Sequence, residues 1–282
     1  MFNSNVFETQ EDDKSRNNNT FEESNVIFVS DMFSDEYAGG AELSTEALFK
    51  TSCYKTYKLK TSELNEKLIS EGINKVWVFF NFSQLNYNLL PLIVSNCQYF
   101  IVEYDYKFCR YRSIELHEKT TGKKCDCTQT EYGKLTSAFF AGAEHVFWMS
   151  DLQKKRYQRR YTFLTDEKTS RLSSIFDVED LEYISRLRKA RENVKVKKEY
   201  VLLNSNSWIK GTEETRSYLR EQQINFVELS GLSYHEMLRS LSEYTGLVFM
   251  PLGGDTCPRI VIEAKLLGLK LILNDNVQHT PE

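Results

Sequence analysis

The chain has 282 residues, 41% of them hydrophobic, enough for two α/β cores of modest size. A formal net charge of -4 argues against wholesale binding to nucleic acid, and the longest apolar runs stop well short of the ~20 residues a membrane span requires. Six cysteines, at positions 53, 97, 109, 125, 127 and 257, show no disulfide-framework spacing, so reduced thiols in a cytoplasmic protein are expected.

Residues 1–24, rich in Asn, Glu, Asp and Ser, lack the layout of a secretory signal and read as a disordered leader. From there strand-length runs of Val, Ile, Phe, Tyr and Leu alternate with helical segments, the pattern of parallel sheets with helical crossovers. In a first unit, 25–180, strands are expected at 26–30, 54–59, 76–80, 99–103 and 145–149. A polar insertion at 110–133 breaks the rhythm, and long loops at strand ends are where substrates tend to be met. The charged stretch 181–198 is expected to be a linker helix. A second, shorter α/β unit, 199–282, has expected strands at 200–204, 225–229, 247–250 and 270–273. The fold class is therefore α/β, with two Rossmann-like domains.

The most informative stretch is LVFMPLGGDTCPRIVIEAKLLGLKLIL, residues 247–273, which reads as strand, Gly-containing loop, helix and strand. Gly253 and Gly254 permit a tight turn, Asp255 or Thr256 can cap the helix, Pro258 suits its first turn, and Gly268 suits its end. Free backbone N–H groups at such a helix start favour a phosphate. Glu263 then lies ~9 Å up the helix axis, within reach of the ribose of a nucleoside diphosphate.

Asp255 and Glu263, with Pro258, Ala264 and Gly268, resemble the acidic-x7-Glu motif of retaining GT-B glycosyltransferases of the glycogen-synthase-like group. The resemblance implies two lobes facing a cleft and transfer of a hexosyl group from a nucleotide-sugar with retention. It assigns the donor-sugar hydroxyls to Asp255, the diphosphate to the amides of Thr256 and Cys257, and the ribose to Glu263. Lys210 with Gly211, in YVLLNSNSWIKG, is similar to the family's Lys-Gly motif and implies a cation that offsets the departing diphosphate. Gly39 and Gly40, followed by Glu42, resemble the family's Gly-Gly-Ala-Glu entry, which makes them candidates for facing the donor phosphate or the acceptor. Tyr104 and Asp105 stand where relatives carry a residue facing the sugar, which makes Asp105 a candidate for catalytic contact. Family members usually continue past the last motif with more sheet and a helix returning to the first domain. With its last residue at Glu282, the chain reads as a short member. No metal and no cofactor are implied; the nucleotide-sugar is the substrate, and the acceptor is a saccharide, a lipid or a protein.

Rival readings come from the same residues. Glu103 and Asp105 resemble the metal-holding acidic pair of metal-dependent GT-A glycosyltransferases. Cys125 and Cys127, with Cys109 and His117, could supply four metal ligands but match no strong zinc spacing, and read as buried or idle thiols. The run KKRYQRRY from Lys154 reads as a solvated helix face, with peripheral membrane contact as the minor reading. A nucleotide-sugar-binding module without turnover and a nucleotide-sugar epimerase are the functional alternatives.

Overall fold

A computed structural model describes residues 19–205 and 207–280. The run VIFVS buries all five side chains, as a strand must when both its edges and both its faces are covered. It forms β1 (Val26–Ser30), followed by α1 (Gly40–Thr51), β2 (Thr56–Lys60), α2 (Glu66–Glu71), β3 (Val76–Phe79), α3 (Leu90–Asn96) and β4 (Gln98–Glu103). The first domain continues through α4 (Ile114–Thr121), α5 (Glu131–Gly142), β5 (His145–Trp148), α6 (Asp151–Gln158) and β6 (Thr169–Arg171). These six strands make one parallel sheet in the order β2-β1-β3-β4-β5-β6.

The second domain comprises α7 (Val178–Arg191), β7 (Lys197–Leu203), α8 (Thr212–Glu221), β8 (Phe226–Leu229), α9 (Tyr234–Ser242), β9 (Tyr244–Phe249), α10 (Arg259–Leu266) and β10 (Lys270–Leu273). Its sheet is again parallel, in the order β10-β9-β7-β8. Read from β8, the winding repeats that of the first sheet, with a switch point between the first and third strands of each domain. Ligands of open parallel sheets bind at such points, beyond the carboxyl ends of the strands.

The first core is aromatic: Trp77, Phe79, Tyr99, Phe139, Phe140, Trp148 and Tyr157 pack together with no appreciable exposure. The second is aliphatic, built on Val201, Leu238, Leu241, Leu247, Val261 and Ala264.

Three expectations change. Phe21, inside the expected leader, is buried against Tyr57 and Trp77, and Lys75 Nζ donates to the carbonyls of Glu22 and Ser24. One aromatic side chain thus anchors a segment whose composition reads as disordered; residues 1–18 lie outside the described residues. The expected linker helix begins earlier and ends at Arg191, and it packs on α9 and α10 with Ile184 in the second core. The basic run from Lys154 is not a free solvated face, because Tyr157 is fully buried and Lys154 and Arg156 pair with Asp166 and Glu115. Among the described residues no helix is long and apolar enough to cross a membrane.

Candidate functional site

A cleft of about 590 Å³ lies between the domains. Gly39 and Gly40 reach it from the loop after β1, Asp105 and Arg112 from that after β4, Lys210 from that after β7, and Asp255, Thr256 and Cys257 from that after β9. Every one of these loops leaves the carboxyl end of its strand. Glu263 completes the lining from α10. The sequence-based site residues therefore share one cavity, although they come from five separate segments.

Lys210 ends a short 3-10 turn, Trp208–Lys210, and its Nζ lies 2.8 Å from Asp255 Oδ2. Burial by itself would depress the ammonium, but the Asp255 carboxylate more than offsets this and holds its pKa above the ordinary lysine value. The lysine is therefore a permanent cation with two N–H groups left for a ligand. Gly211 is required next to it: its φ is +65°, and an added Cβ would stand 2.6 Å from the Met250 carbonyl oxygen.

Neither Asp255 nor Thr256 caps the helix. α10 starts at Arg259, with Pro258 as N-cap and no side-chain cap bond. Asp255 is fixed instead by backbone pairing with the last loop, its amide donating to Asn276 and its carbonyl accepting from Gln278. The Thr256 hydroxyl crosses to the Tyr104 carbonyl, and the Cys257 carbonyl accepts from Ser174 Oγ at 3.2 Å. Among the described residues nothing accepts from the amides of Thr256 and Cys257, so both stay available beside the start of α10.

Because the helix starts late, Glu263 sits one turn in, about 6 Å from the start rather than ~9 Å. Its carboxylate is buried, and Oε1 accepts from Arg259 Nε and from the Tyr234 hydroxyl, each at 2.8 Å. Burial raises its pKa, although Arg259 pulls the other way. Arg259 is itself sequestered: it donates to Asp180 and to the Ile175 carbonyl, and its guanidinium lies 4.0 Å from the centroid of Phe176. Arg259 thus joins α10, α7 and the chain between the domains, a role that sequence reading missed because an Arg at a helix start carries no motif signal.

The glycine pairs serve close approach between the domains. None of Gly39, Gly40, Gly253 and Gly254 has a positive φ. A Cβ on Gly40 would sit 3.3 Å from Arg259 Cβ, and one on Gly253 would sit 2.9 Å from Ser113 Cβ. The Gly254 amide donates to Ser113 Oγ at 2.9 Å, across the two domains.

Asp105 lines the cleft with both oxygens engaged, Oδ1 by Lys107 at 2.8 Å and Oδ2 by Arg112 Nε at 2.6 Å. Burial would raise its pKa, yet Lys107 and Arg112 drive it down to about 2, so it is a poor base. Its neighbour Glu103 is completely buried and also contacts Lys107. Of the acidic pair of the GT-A reading, Asp105 is thus engaged by cations of the protein itself, and Glu103 is fully buried and does not line the cleft. What Asp105 does present is Arg112, whose side chain is part-exposed at the cleft and also donates to Asn81. Arg112 has a positive φ of 54° and escaped the sequence reading because it sits in a polar insertion with no motif.

No protein-family model matches the chain, and no curated protein sequence does. Solved structures do match. HepE of Anabaena, in complex with UDP-glucose, aligns over 89% of this chain and 80% of its own at 12% identity, with a TM-score of 0.53. A UDP-forming α,α-trehalose-phosphate synthase of Burkholderia xenovorans aligns over 89% of this chain and 84% of its own at 8% identity, with a TM-score of 0.51. The fold is GT-B-like. It consists of two Rossmann-like domains facing a cleft, as the motif resemblance implied.

Proposed function

We propose that this protein is a glycosyltransferase that takes a hexosyl group from a nucleotide-sugar, with retention and without a divalent ion at the diphosphate. The observation that carries the proposal is the convergence of Lys210, Asp255, the Thr256 and Cys257 amides and Glu263 in one interdomain cleft. In this reading the diphosphate lies against the two amides and Lys210, with Arg112 facing it from the first domain. The ribose hydroxyls meet Glu263, whose Oε2 carries no protein partner among the described residues. Asp255 contacts the sugar while fixing Lys210. As the sugar–phosphate bond breaks, charge grows on the leaving diphosphate, where preorganised donors stabilise it more than in the ground state. The departing phosphate oxygen takes the acceptor's proton, which removes the need for Asp105 as a base.

HepE was solved with UDP-glucose, so UDP-glucose is the first donor to try, beside GDP- and ADP-sugars. A donor that binds the native state raises the melting temperature, by an amount that grows with the logarithm of its concentration above its Kd. Release of nucleoside diphosphate, unaffected by added Mg²⁺ or Mn²⁺, is the expected activity. A donor that stabilises the protein yet never turns over, with any acceptor class, would favour the non-catalytic binding module. Turnover that appears only with Mg²⁺ or Mn²⁺ would remove the assignment of Lys210.

A further inference from the structure

Four ligand-type side chains converge beside the cleft. Cys109 comes from the loop after β4, His117 from α4, and Cys125 and Cys127 from the segment between α4 and α5. Their ligand atoms all lie within 4.8 Å of one another, and Cys109, His117 and Cys127 are buried. The Cys109 sulfur is 3.7 Å from that of Cys125 and 3.8 Å from that of Cys127. His117 Nδ1 is 3.5 Å from the Cys109 sulfur and 3.2 Å from the Cys127 sulfur. A tetrahedral zinc ion, with sulfur at ~2.3 Å and nitrogen at ~2.05 Å, requires sulfur–sulfur edges of about 3.8 Å and sulfur–nitrogen edges of about 3.5 Å. The four edges among these atoms come within about 0.3 Å of such a tetrahedron, and the two remaining edges, both to Cys125, are no longer than 4.8 Å. A disulfide would instead bring two sulfurs to about 2.05 Å and strand the third thiol and the imidazole.

We propose that Cys109, His117, Cys125 and Cys127 bind one Zn²⁺ in a closed structural site. Idle thiols, the sequence-based reading, do not explain why an imidazole nitrogen and three sulfurs from three segments share one point. The spacing Cys-x7-His-x7-Cys-x-Cys escapes the familiar zinc patterns because the first cysteine lies in one loop and the last two in another. Four protein ligands leave no open position, so the ion does no chemistry of its own. Its role is to fold a long polar insertion that has little apolar surface with which to anchor itself. Between the first two ligands lie Arg112 and Ser113, the former at the cleft and the latter receiving the Gly254 amide. The ion therefore clips in place the loop through which the first domain meets the second.

The test uses the full chain, produced in zinc-supplemented medium and purified with reductant and without chelator. Native mass spectrometry and elemental analysis are expected to find one zinc per chain, and Co²⁺ exchange to give thiolate-to-cobalt charge-transfer and tetrahedral ligand-field absorption. Cys127→Ser is expected to lose the ion, and His117→Cys, which supplies a fourth thiolate, to keep it. Wild-type protein that carries no zinc and takes up none on titration with Zn²⁺ overturns the proposal. So does a disulfide among the three cysteines that persists under reductant. The wild-type measurement depends neither on the folding of a variant nor on donor turnover.

Discussion

Lys210 and Asp255, 45 residues apart in sequence, form a 2.8 Å ion pair at the switch point of the second sheet. Their loops leave β7 and β9, neighbouring strands between which the direction of winding reverses. The pair sets the lysine's charge and position before any ligand arrives. Lys210→Ala should lower donor turnover by ~100-fold, as loss of one preorganised donor does, with little change in melting temperature because the side chain is part-exposed. Steady-state kinetics beside a thermal melt check this; equal kcat in the variant would remove Lys210 from the site.

Glu263→Ala should behave differently, because this carboxylate is bound to the fold as well as to the proposed ribose. Bare nucleoside diphosphate should bind more weakly by about 1.5–3 kcal/mol, the cost of a charge-assisted hydrogen bond. The melting temperature should fall too, since buried Arg259 and Tyr234 lose an acceptor. Calorimetry and a melt on one preparation separate the effects. Unchanged diphosphate affinity would leave Glu263 a purely structural residue.

Arg112→Ala tests the residue that the polar insertion contributes. Loss of the cation proposed to face the diphosphate should weaken donor binding by about tenfold, near 1.4 kcal/mol. Arg112→Lys should recover only part, because a lysine cannot reproduce the guanidinium contacts to Asp105 and Asn81 together. Donor titration by calorimetry decides; wild-type affinity in Arg112→Ala would place the residue outside the donor site.

Gly211→Ala should destabilise the protein by about 1–2 kcal/mol through left-handed strain alone, with a further cost from the Met250 carbonyl, 2.6 Å from the new Cβ. The midpoint of urea unfolding reads this directly. A midpoint equal to wild type would mean that the loop relaxes without cost.

Stability should also carry a pH signature from Glu103. Burial pushes its pKa up from 4.5 to about 8, although Lys107 opposes the shift. Between those values the folded state holds a proton that the unfolded state has lost, so this group lowers stability as pH rises through the window. Asp105 acts outside it: its contribution is complete above 3.8 and is lost as pH falls through about 2. Melting temperatures across pH 4.5 to 8 should therefore decline less in Glu103→Gln than in wild type. Parallel profiles would show that Glu103 does not titrate there.

By itself the sequence determined the alternation of strand and helix, because apolar runs such as VIFVS leave few other ways to bury both faces. It also marked Lys210, Asp255 and Glu263 as candidates, Asp255 and Glu263 on one loop and helix and Lys210 on a separate loop, through their resemblance to family motifs. It missed β6, three residues of Thr, Ser and Arg, because an edge strand held by β5 needs no apolar pattern of its own. Only the tertiary structure decided which carboxylates are available. Asp105 and Glu103 look equivalent to Asp255 in sequence, yet the fold engages both oxygens of Asp105 with Lys107 and Arg112 and buries Glu103 so completely that its pKa rises. The glycine pairs, too, are legible as turns, whereas their use in bringing α1 against Arg259 and the β9 loop against Ser113 depends on how two domains meet. Convergence of Cys109, His117, Cys125 and Cys127 is of the same kind: local spacing cannot express it, because the distances that make a tetrahedron are set by packing between segments.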